Sequence, residues 1–352
     1  MLNFRRARGI TGPRVPRERN VAKQLAARSR HPVRAIVLAA TAAVLAATSV
    51  SAQSPADKYP EKPIKIIVPF APGGSADILS RVVGNKLTES FGQTIVVETR
   101  PGAGTVIGTT AAAKAEPDGY TLLMTVSNLA TNQTLVPNLA YDAVRDFEPI
   151  SILARAPVTI YVNPKFPPTN IKELIAAAKA RPGALNFGSA GPGSMTHLTA
   201  EMLKIQAGIE MTHVVYRGGA PALNDVLAGQ IPMTFATVSQ ALAQYQGGLV
   251  RALGVAAARR QSAIPEVPTF GEQGSDLQVS EWYVLLAPAG TPRPVVTKLN
   301  AELRKIMAQP GLGDKLVGVD LQSSSPEEAR AYIKSEIERW APVIRKLGLK
   351  AE

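Results

Sequence analysis

Apolar positions along this chain follow two periods. Short β-rich apolar runs fall at 64–69, 94–98, 120–126, 158–162, 184–188, 211–216, 231–236, 250–255 and 281–287, and helical patterns lie between most of them. This alternation predicts α/β units built around parallel sheets. In the first helical stretch Leu79, Val82, Val83, Leu87 and Phe91 share one face, and Gly92 follows as a C-cap. A helix opening at Ser194 carries Met195, Leu198, Met202 and Ile205 on one stripe and stops at Gly208. Pro221 starts another, which ends at Gly229. Ser325-Pro326-Glu327-Glu328 has the form of a capping box, and Ile333, Ile337, Trp340 and Ile344 supply a buried face behind it. No solenoid period recurs. The apolar, proline-flanked segment from Phe147 to Pro164 suits a strand crossing from one domain to another.

Charge changes the picture at one end only. The chain of 352 residues has a formal net charge of +12 and an apolar fraction of 45%. Nine Arg and Lys23 stand against Glu18 in the first 52 residues, leaving residues 53–352 close to neutral. The electrostatic case for a nucleic-acid partner therefore collapses. The uncharged stretch Ala35–Val50 has sixteen residues, whereas a membrane span needs about twenty. With its basic flank and the Val50-Ser51-Ala52 ending it reads as a signal peptide over 1–52, cleaved after Ala52, rather than an anchor helix; the Arg5-Arg6 pair lacks the residues that should follow it in twin-arginine export. Cysteine is absent, which excludes disulfides, thiolate metal sites and a lipid-anchored N-terminal Cys. An exported, unlipidated protein stays beside its cell only inside an outer membrane, so the expected location is a Gram-negative periplasm.

Candidate chemistry sits in four glycine-rich turns: 72–75, 100–104, 188–194 and 217–220. Each follows an expected strand and precedes an expected helix, the place where α/β proteins usually hold ligands. Glycine admits close approach of a ligand, and the free amides and dipole of a helix start favour a small anion such as a carboxylate. Any one such loop is also an ordinary tight turn. Gly102-Ala103-Gly104-Thr105-Val106-Ile107-Gly108 has one residue too many for a dinucleotide fingerprint, and neither a P-loop, HExxH nor G-x-S-x-G occurs. No cofactor or metal is expected. Ser194 with His197 resembles a nucleophile and base, but fits an N-cap serine with a histidine on the polar stripe of Glu201 and Lys204 better. His213 reads as a hydrogen-bonded core residue. Asp77, in a first helical turn, complements the helix dipole, points into a cleft, or does both.

Seven stretches, "YPEKPIKIIVPFAPGGSADILSR", "ETRPGAGTVIG", "PDGYTLLM", "FGSAGPGSMTHLTAEMLK", "HVVYRGGAPALNDVLAGQIPMTF", "PEVPTFGEQG" and "APAGTPRPVVTKLN", together resemble the Bug family of periplasmic substrate-binding proteins. These are the extracytoplasmic receptors of tripartite tricarboxylate transporters, and the resemblance runs in order through residues 53–352. It implies a type II periplasmic-binding fold: lobe 1 from 53–155, completed by about 273–352, and lobe 2 from 156–272. It further implies no catalysis, a small organic acid in the cleft, and a monomer that docks with a tripartite tricarboxylate-type permease. Carried over residue by residue, the expected ligand contacts are Phe70, Ala71, Gly73, Gly74 and Asp77 in the first loop, and Ser127 and Asn128 after Leu123. From the second lobe they are Ser189, Ser194, His197, Gly219, Ala220 and Asp225. An amino acid or amide is expected if Asp77 faces the cleft, a plain carboxylate if it faces its own helix. A solute sensor and a hydrolase using Ser194 and His197 are the competing functions; a transcription-regulator domain would need an upstream helix-turn-helix.

Overall fold

The long apolar runs become strands and the amphipathic ones helices. The structure is a computed structural model describing residues 57–313 and 316–351; the leader expected at 1–52 lies outside the described residues. The elements that carry the argument are β1 (Ile64–Val68), α1 (Ser75–Phe91), β2 (Ile95–Thr99), α2 (Val106–Ala113), β3 (Thr121–Val126), α3 (Asn128–Leu135), β4 (Phe147–Val162), α4 (Ile171–Ala180), β5 (Asn186–Ser189), α5 (Met195–Ala207), β6 (Thr212–Val215), α6 (Gly219–Leu227), β7 (Met233–Thr237), α7 (Val238–Gln246), β8 (Arg251–Val255), β9 (Ser280–Pro288), α8 (Arg293–Met307), β10 (Asp320–Leu321) and α9 (Pro326–Lys346). Every apolar run is recovered within a few residues. Helix α6 opens at Gly219, two residues ahead of the expected Pro221.

The strands form one path, β2-β1-β3-β9-β4-β7-β5-β6, with β8 and β10 also paired to β4. β1 is parallel to β2 and β3, and β5 is parallel to β6 and β7. The all-parallel expectation fails at the centre, where β9 runs antiparallel to β3 and to β4, and β4 antiparallel to β7 and β8. The reason is the 16-residue β4: Phe147–Pro157 pairs with β9, and Val158–Val162 continues into β7 and β8. One strand thus serves both halves, as its long apolar run foretold.

The first half is buried on both faces, which is why β1 reads as a continuous apolar run in which all but Lys65 are buried. Leu79, Val83 and Leu87 of α1 and Val295, Leu299 and Leu303 of α8 pack on one face. Ala112 of α2, Leu129 of α3 and Ile333 of α9 cover the other, around Trp282. In the second half α4 and α5 pack around Phe187 and Phe235, and α6 and α7 around Tyr161. Side chains of this size each contribute about 1.5–3 kcal/mol or more when fully buried. Trp340 and Ile344, in the last turns of α9, join the cluster of Phe187 and Phe235. The C-terminal helix therefore packs on both halves.

Candidate functional site

Adjacent parallel strands β1 and β3 end at Val68 and Val126, and each chain then turns into a helix. After β1, Phe70 packs partly on the core, whereas Ala71, Pro72, Gly73 and Gly74 are exposed. Gly73 has a φ of 82°, a conformation open to glycine at little cost. Gly74 is the N-cap of α1 and offers no side-chain cap to the first-turn amides. Asp77 is buried in this turn. Its Oδ2 accepts the Gly73 N–H at 2.9 Å and the Arg81 Nε–H at 3.1 Å, with Oδ1 3.0 Å from the same nitrogen in ion-pair contact. The carboxylate is thus turned back onto its own loop and helix start through Oδ2.

After β3, Ser127 is buried and begins α3 without capping it, and Asn128 is partly exposed. Both polar groups of Ser127 go to a residue that sequence reasoning missed. Glu281 Oε1 accepts the Ser127 N–H at 3.0 Å and the Ser127 hydroxyl. Desolvation, opposed by these two bonds and reinforced by the like charge of Glu336, pushes the Glu281 carboxyl up to about 7. Tyr283, two residues along the same strand, faces the Ser75 hydroxyl. The only sequence signal was an acid set at the head of the apolar run 281–287.

In the second half Ser189 ends β5 fully buried, with its Oγ 2.7 Å from His213 Nε2 and 3.1 Å from the Gly191 N–H that it accepts. Ser194 is the N-cap of α5: its Oγ accepts the His197 N–H at 3.2 Å and donates to Gly191 O at 2.7 Å. His197 is not on a polar surface stripe. It is buried, stacks on His213 with ring centroids 4.0 Å apart, and accepts the Gly193 N–H on Nδ1 at 3.2 Å. Desolvation, with the positive charges of a protonated His213 and of Lys204, drives its pKa down to about 3; His213 falls to about 4, again chiefly by desolvation. Because the Ser194 hydroxyl and the His197 ring bond to separate backbone groups, no nucleophile–base pair exists here.

Gly219 begins α6 behind Gly218, which again gives no side-chain cap, and any side chain at Gly219 would run into the Gln240 amide. Ala220 beside it is exposed. Asp225, two turns on, accepts the Tyr216 hydroxyl at 2.6 Å. Of the expected contacts, Gly74, Asn128, Gly219 and Ala220 thus present backbone at helix starts, the Gly73 N–H is held by Asp77, Ser194 and His197 shape the start of α5, and Asp225 holds Tyr216. In the glycine loop after β2, Asn132 Nδ2 holds Gly104 O at 2.9 Å, tying it to α3. Two hollows of about 530 and 240 Å³ lie away from all these loops, one walled by Thr291, Asn300 and Pro326, the other by Arg155, Gln261 and Tyr332. The first lies between the starts of α8 and α9, at Arg293 and Ser325, and neither is lined by the glycine-rich loops. Among the described residues no group of three His, Cys, Asp or Glu could hold a metal ion.

Residues 79–349 match the family described as Tripartite tricarboxylate transporter family receptor. The solved structure of the periplasmic binding protein BugD is 34% identical, covers 84% of this chain and 100% of its own, and superposes with a TM-score of 0.76. A Rhodopseudomonas palustris protein solved with adipate is 30% identical, with 83% and 99% covered and a TM-score of 0.78. MatC from the same organism, solved with bound malate, is 31% identical, with 81% and 100% covered and a TM-score of 0.74. This chain belongs to the tripartite tricarboxylate transporter receptor family, and is a solute-binding receptor rather than an enzyme.

Proposed function

We propose that this protein captures a small organic acid between the starts of α1, α3 and α6 and delivers it, as a monomer, to a tripartite-type membrane permease. The observation that carries the reading is a contrast in capping. Helices α1, α3 and α6 follow the carboxyl ends of β1, β3 and β6 without a side-chain cap, whereas α5, on neighbouring β5, is closed by its own Ser194. First-turn amides left without such a cap attract an anion. Relatives solved with adipate and malate make a small carboxylate the ligand class.

Magnitude explains why two halves are needed. A charge-assisted hydrogen bond contributes about 1.5–3 kcal/mol net. Two such bonds from the first half give about 3–6 kcal/mol, yet micromolar affinity corresponds to about 8 kcal/mol. Amides of Gly219 and Ala220 supply the rest when residues 156–272 close as a lobe on 53–155 and about 273–352, so ligand shifts the population to the closed form. The expected signal peptide over 1–52 supports a periplasmic site of capture. Titration calorimetry and thermal melting against adipate, malate and their neutral diamides test this. Acids raise the melting temperature with concentration and the diamides do not; no response to any acid at millimolar concentration refutes it.

A further inference from the structure

Glu281 places a carboxylate inside a site read as anion-binding. Strand β9 runs antiparallel to β3, with Tyr283 opposite Val126, the last residue of β3. Glu281 therefore lies beyond the carboxyl end of β3, where Ser127 leads into α3. On its other side it pairs with Ala156, one residue before the last β4 position paired with β9. Its position is thus beside the point where β4 passes from pairing with β9 to pairing with β7, on the same strand face as Tyr283. Glu281 as a residue is half-buried there, while Ser127 is buried and gives Glu281 both its N–H and its hydroxyl.

A plain ligand carboxylate at the start of α3 would find these two donors taken and a like charge beside it. A donor group would find an acceptor already oriented. We infer that Glu281 is the specificity residue of this receptor, selecting small acids that carry an ammonium or hydroxyl group beside the carboxylate over plain dicarboxylates. The inference rests on the proposed function. The ligand carboxylate goes to the starts of α1 and α6, and its ammonium or hydroxyl donates to Glu281. Asp77, the other acid near the first loop, is only 3% exposed and paired with Arg81, so its charge is already met on its own helix. Desolvation that holds the Glu281 carboxyl up to about 7 is relieved when an ammonium pairs with it.

The test is calorimetry at pH 8 on purified protein and on Glu281→Gln, with the pairs aspartate and succinate, glutamate and glutarate, malate and succinate. Gln keeps the shape and can still accept from Ser127, but loses the charge. Wild type binds the ammonium-bearing member at least about tenfold tighter than the plain acid, and the hydroxyl-bearing member by a smaller margin. Glu281→Gln abolishes the ammonium preference. Should Glu281→Gln fail to fold, Glu281→Asp, which keeps the charge, retains the sign of the preference. Tighter binding of plain dicarboxylates by wild type, or an unchanged preference in Glu281→Gln, overturns the inference and leaves the carboxylate receptor standing. Silence from every acid overturns both.

Discussion

Replacing Asp77 with Asn separates a loop-building carboxylate from a ligand-reading one. Asp77 is 3% exposed, and Oδ2 accepts the Gly73 N–H at 2.9 Å. Asn keeps an acceptor, so the bond survives without its charge, a loss of about 1 kcal/mol out of the 1.5–3 kcal/mol of a charged hydrogen bond. The favourable placement of an acid in the first turn adds about 0.3–1 kcal/mol. The Arg81 pair adds little, because the arginine is half exposed. The sum is a destabilisation of about 1–2 kcal/mol, or roughly 2–3 °C in melting temperature for a protein of this size. The loop carrying Gly73 and Gly74 loosens with it, so affinity for every acid falls by the same factor whether or not an ammonium is present. Scanning calorimetry reads the first effect, and titration with aspartate and succinate reads the second. An unchanged melting temperature together with weaker aspartate and unaltered succinate would show Asp77 reaching the ligand, and the reasoning would fail.

The stacked histidines make stability depend on pH. Their folded pKa values of about 3 and about 4 lie below the ordinary 6.5, so the unfolded chain binds protons first and their contribution is lost as pH falls from about 6.5 towards those values. For His197 alone this amounts to about 3 kcal/mol at pH 4.5. Glu281, raised to about 7, acts in the opposite direction over the same window, so the effect is read as the difference between urea midpoints of Glu281→Gln and of Glu281→Gln with His197→Gln at pH 7 and 4.5; equal slopes would exclude it. Glu336 is buried and accepts both indole N–H groups, Trp282 Nε1 at 3.1 Å and Trp340 Nε1 at 3.0 Å. Glu336→Met strands two buried donors at about 1–3 kcal/mol each, measured by urea unfolding, whereas Glu336→Gln retains an acceptor and loses less. Gly193→Ala would set a methyl 1.9 Å from Leu135 Cδ1 at a φ of 69°. Its expected overpacking penalty of about 1–3 kcal/mol is absent at Gly183→Ala, which has open space and carries only the backbone strain of a similar φ.

Strands were legible because the sheet is covered on both faces, so burial writes an unbroken apolar run whatever the partner strand. Direction is not written there: β9 and β4 read like parallel strands, and only their pairing made them antiparallel. Periodicity misled in α5 for a related reason. Its first two turns are enclosed on all sides, burying His197 and Glu201, while Ile205 on the supposed core stripe is 41% exposed. The stripe describes a helix with one wet face, and this one has none at its start.

The glycine loops were legible because backbone donors at helix starts follow from chain geometry alone. The side chains around them were not. Asp77, Ser194, His197 and Asp225 are the polar groups a ligand would choose, and also those the nearest turn chooses first, since a neighbour four residues away needs no loop closure. Glu281 shows the converse. It is 154 residues from Ser127, so nothing local in sequence ties the two, yet the pairing of β3 with β9 brings them within 3.0 Å. A helix start lacking a cap in sequence is therefore open to an anion only after distant strands have been checked for one. The start of α3 fails that check at Glu281, which is why the proposed binding mode sends the ligand carboxylate to the starts of α1 and α6 and its donor group to Glu281.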